Sequence, residues 1–562
     1  MTKELSKHLQ VLLYGEKVGE LRFDASRYRF SYDHQAATSI PHPLSLSLPL
    51  QAQGKAFASL FLGRGITSLP HYFENLLPEG WLLDVARSIG GSLEDKLDLL
   101  WLLCRDTIGA VSFSWETGTR VALDTEKDRD PASWLALNQD AGQSAQQRAL
   151  YPAVCLCCGG RLPKRGYNFG FHESCSISFF GTETPPSIDV DRRNLQIVAR
   201  RQLMAGESLT GGQEKFSLKY KLRDKAITVP GFAYVVKPRQ VHPEIHDLPV
   251  MEHVVMCLAS RLGLGVAETA VIKLRDGTDA FITKRFDRSL DGSRLHAEDL
   301  AQASGTARGG EGRYHGSMEL VARTLDGELV DRTKVGLMKL RLLRSVIFNF
   351  VFGNSDAHLK NHSLIWRRNA AGAYRYDLAP FYDLVPCRIY TKDDDDLGLK
   401  IGGKSRGLNR ASFVEFAQNS LGLSSAVIDE FAASIKDERG RLIETLKNHG
   451  ISPGQIAKLI DLAGNGLRVL SGASFNHKQN RDKVSSKREH HPSKGRSSDV
   501  DDPLRDQKHS TKMAASDLVT VAPSVAEDAM CSSPKCLNPR GRTLLRGRRR
   551  ALGVCSYCRP EA

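Results

Sequence analysis

Six apolar residues, Leu337, Leu340, Leu343, Val346, Ile347 and Phe350, recur at helical spacing and run straight into a polar loop, Asn354-Ser-Asp-Ala-His-Leu-Lys-Asn361. Residues three and four apart share one face of a helix, so the spacing predicts a core helix over 335–353. That helix delivers the chain directly to Asp356. Asn361 lies five residues further on, beyond His358 and Lys360. After a short strand-like segment, Ser363-Leu-Ile-Trp366, a second acid follows as Asp383 in Leu378-Ala-Pro-Phe-Tyr-Asp-Leu-Val385.

Two carboxylates and an amide in this order are what phosphoryl transfer from ATP needs. One carboxylate orients the attacking hydroxyl and accepts its proton, while an amide and the other carboxylate hold magnesium over the phosphates. Asp-x4-Asn is the spacing of a protein-kinase catalytic loop, and Asp383 stands where the metal-binding Asp would. The His-Arg that usually precedes the first Asp is absent, as is the Phe-Gly after the second. Taken alone, the spacing also suits a polar loop between two strands.

Upstream residues supply further nucleotide signals. Ser208-Leu-Thr-Gly-Gly-Gln-Glu-Lys215 is a glycine-containing turn leading into a strand, Phe216 to Tyr220. Adjacent glycines let backbone N–H groups approach phosphates, though an ordinary hairpin turn has the same look. Phe232-Ala-Tyr-Val-Val-Lys237 places a Lys at the end of an apolar strand, and the helix expected over 249–262 offers Glu252 as its partner. A first-turn Glu also suits the helix dipole. Val271-Ile-Lys-Leu and Ala280-Phe-Ile-Thr-Lys-Arg-Phe-Asp-Arg288 read as a strand pair ending in a hinge between two lobes.

The chain has 562 residues, room for two to four domains. No apolar run approaches the ~20 residues of a membrane span, and the N-terminus is not a signal peptide, so the reading is soluble, cytoplasmic and without membrane contact. The net charge of +14 is concentrated at the end: residues 471–562 hold 18 basic against 10 acidic side chains. Such a basic tail suits an anionic partner, nucleic acid first, or simple solvation.

Eight of eleven cysteines fall in two clusters. Cys155-x2-Cys158, thirteen residues, then His172-x2-Cys175 gives four soft ligands in two close pairs, as a structural Zn2+ site requires, with reduced unmetallated thiols as the alternative. Cys531-x4-Cys536 and Cys555-x2-Cys558 have ribbon spacing with six arginines between the pairs, from Arg540 to Arg550. A small zinc ribbon with an Arg cluster would suit nucleic-acid phosphates. Neither cluster leaves an open coordination position for zinc chemistry.

In order, residues 1–115 read as a small α+β domain, with Pro43-Leu-Ser-Leu-Ser-Leu-Pro-Leu50 alternating like an edge strand. Residues 116–150 read as a linker, 151–182 as the Cys/His segment, 183–470 as the nucleotide-handling domain closing in three or four amphipathic helices, 471–530 as a disordered basic linker and 531–562 as the ribbon.

Over roughly residues 8–450 the chain resembles the HipA family of serine/threonine kinase toxins. The marks are Pro43-Leu-Ser-Leu-Ser-Leu-Pro, Phe73-Glu-Asn-Leu-Leu-Pro-Glu-Gly80, Gly109-Ala-Val, Phe171-His-Glu-Ser-Cys and Phe179-Phe-Gly-Thr182. The resemblance implies an α+β, two-lobed protein-kinase-like fold with a small N-terminal α+β subdomain. By motif it implies Asp356 as catalytic base and Asn361 and Asp383 at magnesium. It implies ATP contacts at Thr210, Gly211, Gly212, Gln213, Glu214, Lys215, Lys237, His358, Lys360, Asn361, Tyr382 and Asp383. Lys284, Arg285 and Phe286 match the adenine hinge, with Asp287 near the ribose, and Ser208 matches an autophosphorylated serine. The chain has Lys284 where members often have Glu, and its cysteine-containing tail lies outside the family pattern. The family further implies aminoacyl-tRNA synthetases as targets, arrest of translation and growth, and a HipB-like helix-turn-helix antitoxin as a separate chain. The competing reading is a catalytically weak kinase-fold binding module acting with a DNA-binding antitoxin or nucleic acid through its tail.

Overall fold

The computed structural model describes residues 7–24, 26–35, 39–50, 68–88, 95–115, 135–136, 151–163, 168–188, 190–204, 213–223, 226–240, 242, 245–288, 293–306, 310–391 and 395–472. The first unit is an antiparallel sheet of β1 (Lys7–Leu13), β2 (Glu16–Asp24), β3 (Arg27–Tyr32) and β4 (Val111–Trp115), in the order β3-β2-β1-β4. Period-two alternation puts Leu9, Val11 and Leu13 on one face, which α1 (His71–Glu74), α2 (Gly80–Ser88) and α3 (Lys96–Leu103) cover. Asp95 caps α3 by accepting from the Leu97 and Asp98 N–H groups.

Pro43–Leu50 is not the expected edge strand. It is a turn with a single bridge between Ser45 and Leu48. Leu44 and Leu48 fill the N-terminal core, while the hydroxyls of Ser45 and Ser47 reach across to Glu298 and the Gln302 carbonyl. The alternation thus reflects a segment wedged between two units, not a ladder.

β5 (Leu135–Ala136) and β6 (Ser187–Ile188) form a short antiparallel pair. Beyond α4 (Glu173–Phe180) and α5 (Leu195–Met204), β7 (Phe216–Arg223), β8 (Ala226–Pro238), β9 (Thr269–Lys273) and β10 (Asp279–Lys284) make a second antiparallel sheet, ordered β7-β8-β10-β9. Its cover is α6 (Leu248–Arg261), whose buried Met251, Val254, Val255 and Leu258 share a core with Val271 and Ile282. The Cys/His segment belongs to that core, since Cys155, Leu156, Phe171, Phe179 and Phe180 are buried within it.

The other lobe holds a three-stranded sheet of β11 (Ala297–Asp299), β12 (Ser363–Arg368) and β13 (Tyr374–Leu378). Around it lie the short α7 (Leu300–Ala303), α8 (Met318–Thr324) and the long α9 (Val335–Phe352). After these come α10 (Arg410–Glu415), α11 (Ala426–Asp437), α12 (Arg439–Asn448) and α13 (Pro453–Leu470). The first turn of α9 departs from the expected face: Leu337 is exposed and Met338 is buried in its place. Each fully buried aliphatic of this kind contributes about 1.5–3 kcal/mol.

Candidate active site

Three elements converge between the lobes. Helix α9 ends at Gly353, whose φ of 66° makes a left-handed cap. A Cβ there would lie 2.5 Å from the tip of Leu462 and 3.0 Å from Arg388 Cβ, and side chains rarely adopt this φ, so glycine is favoured. The chain then turns through Asn354, Ser355 and Asp356 into a 3-10 turn, Leu359–Asn361, and enters β12. The hairpin β12–β13 returns it to Tyr382 and Asp383, beside the loop it had left.

The carboxylate of Asp383 is the hub. Its Oδ1 accepts from Lys237 Nζ at 2.7 Å, and its Oδ2 accepts from Asn361 Nδ2 at 2.9 Å. Asn354 donates to the Asp383 carbonyl at 3.1 Å and holds the residue at φ 59°, a left-handed conformation rare outside glycine. Lys237, at the end of β8, also donates to Glu252 of α6 at 2.9 and 3.2 Å. All three charged groups are buried. Burial by itself lowers the Lys237 pKa, but the charges of Asp383 and Glu252 outweigh it and raise it, so the ammonium stays charged. Burial pushes the Glu252 carboxyl up, against the pull of Lys237. Lys215 at the foot of β7 is buried and acts on the same carboxylate.

Asp356 faces a different partner. The Tyr314 hydroxyl donates to its Oδ1, and burial followed by the Asp356 charge raises the tyrosine's pKa far above normal. His358 caps the 3-10 turn, accepting from the Lys360 N–H at 3.2 Å, while its own N–H donates to Asn361 Oδ1 at 3.3 Å. Burial, with Arg313 and Lys360 nearby, keeps its ring neutral. The Lys360 ammonium reaches Glu79 of the N-terminal unit at 2.8 Å, and Tyr382 donates to the Lys360 carbonyl at 2.7 Å.

The hinge segment serves the seams of the molecule. Lys284 Nζ donates to Glu268 Oε2 at 2.6 Å and to the Ser178 carbonyl at 2.8 Å. Phe286 is buried with its ring 5.7 Å from that of Tyr382. Asp287, which the resemblance puts near the ribose, has its carboxylate engaged within the protein. It accepts from Arg285, Arg288 and the Gly109 N–H, at 2.8 Å for each contact with Oδ2, and is buried against the N-terminal unit. Gln213 is buried, and Glu214 pairs with Arg192 at 2.6 Å. Ser208, Thr210, Gly211 and Gly212 lie outside the described residues, as do Cys531, Cys536, Cys555 and Cys558.

Cys155, Cys158, His172 and Cys175 do come together, with all four ligand atoms within 4.8 Å of one another. His172 Nδ1 lies 3.3 Å from Cys158 Sγ and 3.7 Å from Cys175 Sγ, and its Nε2 lies 2.9 Å from the Arg161 carbonyl. Tetrahedral zinc with bonds of about 2.0–2.3 Å places neighbouring ligands at such separations, and a carbonyl on the other ring nitrogen fixes the tautomer. This group can hold a metal.

Glu79, Tyr314 and Asn354 join the site although no motif singles them out. Glu79 and Asn354 lie within stretches that stand out for other reasons; Tyr314 lies in the glycine-rich 305–316 segment with no local signal.

A Lys–Glu pair bridging a sheet and its helix, facing an Asp, Asn and Asp set from the other lobe, defines a two-lobed, protein-kinase-like phosphotransferase. The HipA N-terminal domain family matches residues 9–114, and the HipA-like C-terminal domain family matches residues 207–440. The candidate kinase Y4dM of Sinorhizobium fredii is 26% identical over 478 residues, covering 81% of this chain and 95% of that one. The serine/threonine-protein kinase toxin HipA of Shewanella oneidensis is 24% identical over 418 residues, or 71% and 79% of the two chains. Among solved structures, the Shewanella oneidensis complex of HipA, HipB and operator DNA contains a chain that superposes with a TM-score of 0.52 at 19% identity, covering 85% of this chain and all of that one. The chain belongs to the HipA family, and its α+β fold and kinase class follow from that membership.

Proposed function

We propose that this HipA-type kinase uses MgATP to phosphorylate a serine or threonine of a protein target. The observation that carries the reading is the buried Lys237–Glu252–Asp383–Asn361 network beside Asp356. Lys237 would pair with the nucleotide phosphates, helped by the loop Thr210–Lys215, while the 284–286 backbone takes the adenine. Magnesium, held by Asn361 and Asp383, would neutralise charge building on the phosphates. Asp356 would orient the target hydroxyl and take its proton as that oxygen bonds to the γ-phosphorus. The bond to the bridging oxygen breaks in the same displacement, and ADP leaves.

His358, Lys360 and Tyr382 hold the catalytic turn in shape. Ser208 is the proposed autophosphorylation site; about two added negative charges beside the phosphate loop would expel it and silence the enzyme. By family kinship the target is an aminoacyl-tRNA synthetase and the outcome is growth arrest. The Shewanella oneidensis relative is solved with HipB and operator DNA, which supports a HipB-like antitoxin partner on a separate chain. Zn2+ is the proposed metal of the Cys155, Cys158, His172 and Cys175 group. Among the described residues no helix is long and apolar enough to cross a membrane, in keeping with work in the cytoplasm.

Transfer of label from ATP tests the reading. Wild type should label itself, Asp356→Ala should not, and Ser208→Ala should label weakly. No label on wild-type protein shown by mass spectrometry to start unphosphorylated would overturn it in favour of a binding module.

A further inference from the structure

The Cys/His knuckle is tied to the nucleotide-binding lobe from both of its ligand pairs. On the side of Cys155 and Cys158, the Leu156 carbonyl accepts the Val271 N–H of β9 at 2.9 Å. The neighbouring Cys157 carbonyl accepts the Cys257 thiol of α6 at 3.8 Å. Cys257 sits on the helix that carries Glu252. Gly159 faces α12, where a Cβ would lie 3.1 Å from Thr445.

On the side of His172 and Cys175, His172 is the N-cap of α4 and Cys175 lies in its first turn. One turn on, the Ser178 carbonyl accepts the Lys284 ammonium at 2.8 Å, and the Phe179 carbonyl accepts the Tyr234 hydroxyl at 2.7 Å. Lys284 Nζ also stands 5.3 Å over the Phe179 ring. Tyr234 is three residues before Lys237 on β8, and Lys284 ends β10. One ligand pair therefore anchors the helix of Glu252, and the other anchors the strands of Lys237 and the hinge.

We propose that Cys155, Cys158, His172 and Cys175 bind one Zn2+ whose role is to clamp α4 to α6 and β9, so that metal occupancy sets the nucleotide affinity of the lobe. The four ligands fill the tetrahedron, so the ion does no chemistry on substrate. Removing it frees the two ligand pairs from each other. The Lys284 tether and the helix of Glu252 then lose their common anchor. The metal assignment stands on the ligand geometry; its effect on nucleotide rests on the kinase reading.

The test uses the full chain, with zinc measured by elemental analysis and affinity by a fluorescent ATP analogue with magnesium. Cys158→Ser/Cys175→Ser should hold one zinc fewer than wild type and bind the analogue at least tenfold more weakly. His172→Cys, which keeps four ligands, should retain both zinc and affinity; it guards against a double variant that merely fails to fold. Equal zinc in wild type and the double variant overturns the metal site. One zinc lost with affinity unchanged within twofold overturns the clamp, as does His172→Cys keeping zinc but losing affinity. Wild type that holds the extra zinc yet binds no analogue overturns the kinase reading and the clamp while leaving the ion in place.

Discussion

The ammonium of Lys360 lies 2.8 Å from Oε1 of Glu79, 281 positions earlier in the chain, and joins the catalytic turn to the N-terminal unit. Their side chains are 1% and 10% exposed, so the pair works in a low-dielectric seam. Removing one partner of a buried pair strands the other charge, at a cost of about 3–5 kcal/mol. Glu79→Ala should therefore cut phosphotransfer by at least tenfold and lower the melting temperature, while Glu79→Gln, which keeps an acceptor, falls between. Unchanged activity in Glu79→Ala would show that the N-terminal unit does not shape the turn.

Lys237→Met leaves Glu252 and Asp383 facing each other without the intervening cation. The expected result is loss of nucleotide binding, read by titration calorimetry, together with a lower melting temperature. Adding Glu252→Gln should restore part of the stability but none of the binding.

Tyr314 holds the carboxylate oxygen that a target hydroxyl would use. A hydrogen bond to a charged group is worth about 1.5–3 kcal/mol, so displacing it slows the reaction by on the order of tenfold or more. Tyr314→Phe should accordingly raise the initial rate of self-labelling with ATP. A fall in rate instead would make the tyrosine a positioning residue for Asp356.

The seam around Ser45 predicts a narrow pH optimum of stability. Burial raises the Glu298 carboxyl from 4.5 to about 8, with Ser45 and the Leu46 N–H pulling the other way. Burial lowers His42 to about 4 and His296 to about 3. The raised acid contributes stability fully below about pH 4.5 and loses it as pH rises through 8. The depressed histidines contribute above their ordinary value of about 6.5 and lose it as pH falls. Two histidines outweigh one acid below about 6.5, so the contribution of this seam to stability should peak near pH 6.5, decline as pH rises to about 8 and level off beyond it. Denaturant melts from pH 5 to 9 would show this dome, and Glu298→Gln should flatten its alkaline limb.

Local pattern makes part of this site legible in the sequence. Helical spacing ending at Asp356, a lysine closing an apolar strand, a glutamate opening the next helix, and paired Cys and His ligands are all short-range signals. Lys237 does meet Glu252, and the four knuckle ligands do converge. The illegible part is long-range. Nothing near Glu79 announces Lys360, and nothing near Tyr314 announces Asp356, because a pairing across tens or hundreds of residues leaves no period. Pro43–Leu50 misleads for a related reason: its alternation answers two different neighbours, a core on one side and Glu298 on the other. Leu337 misleads because a helix's first turn overhangs its core, where a shift of one residue swaps the buried and exposed faces.

Helix α5 belongs to two interiors at once. Leu195 and Val198 pack in the core of the nucleotide-binding lobe, whereas Ala199 and Leu203 pack in that of the N-terminal unit. Neither interior can open without exposing a helix on which the other depends. The two are therefore a single cooperative unit, and a protease cut before α5 would leave a nicked but associated molecule, not two independent fragments.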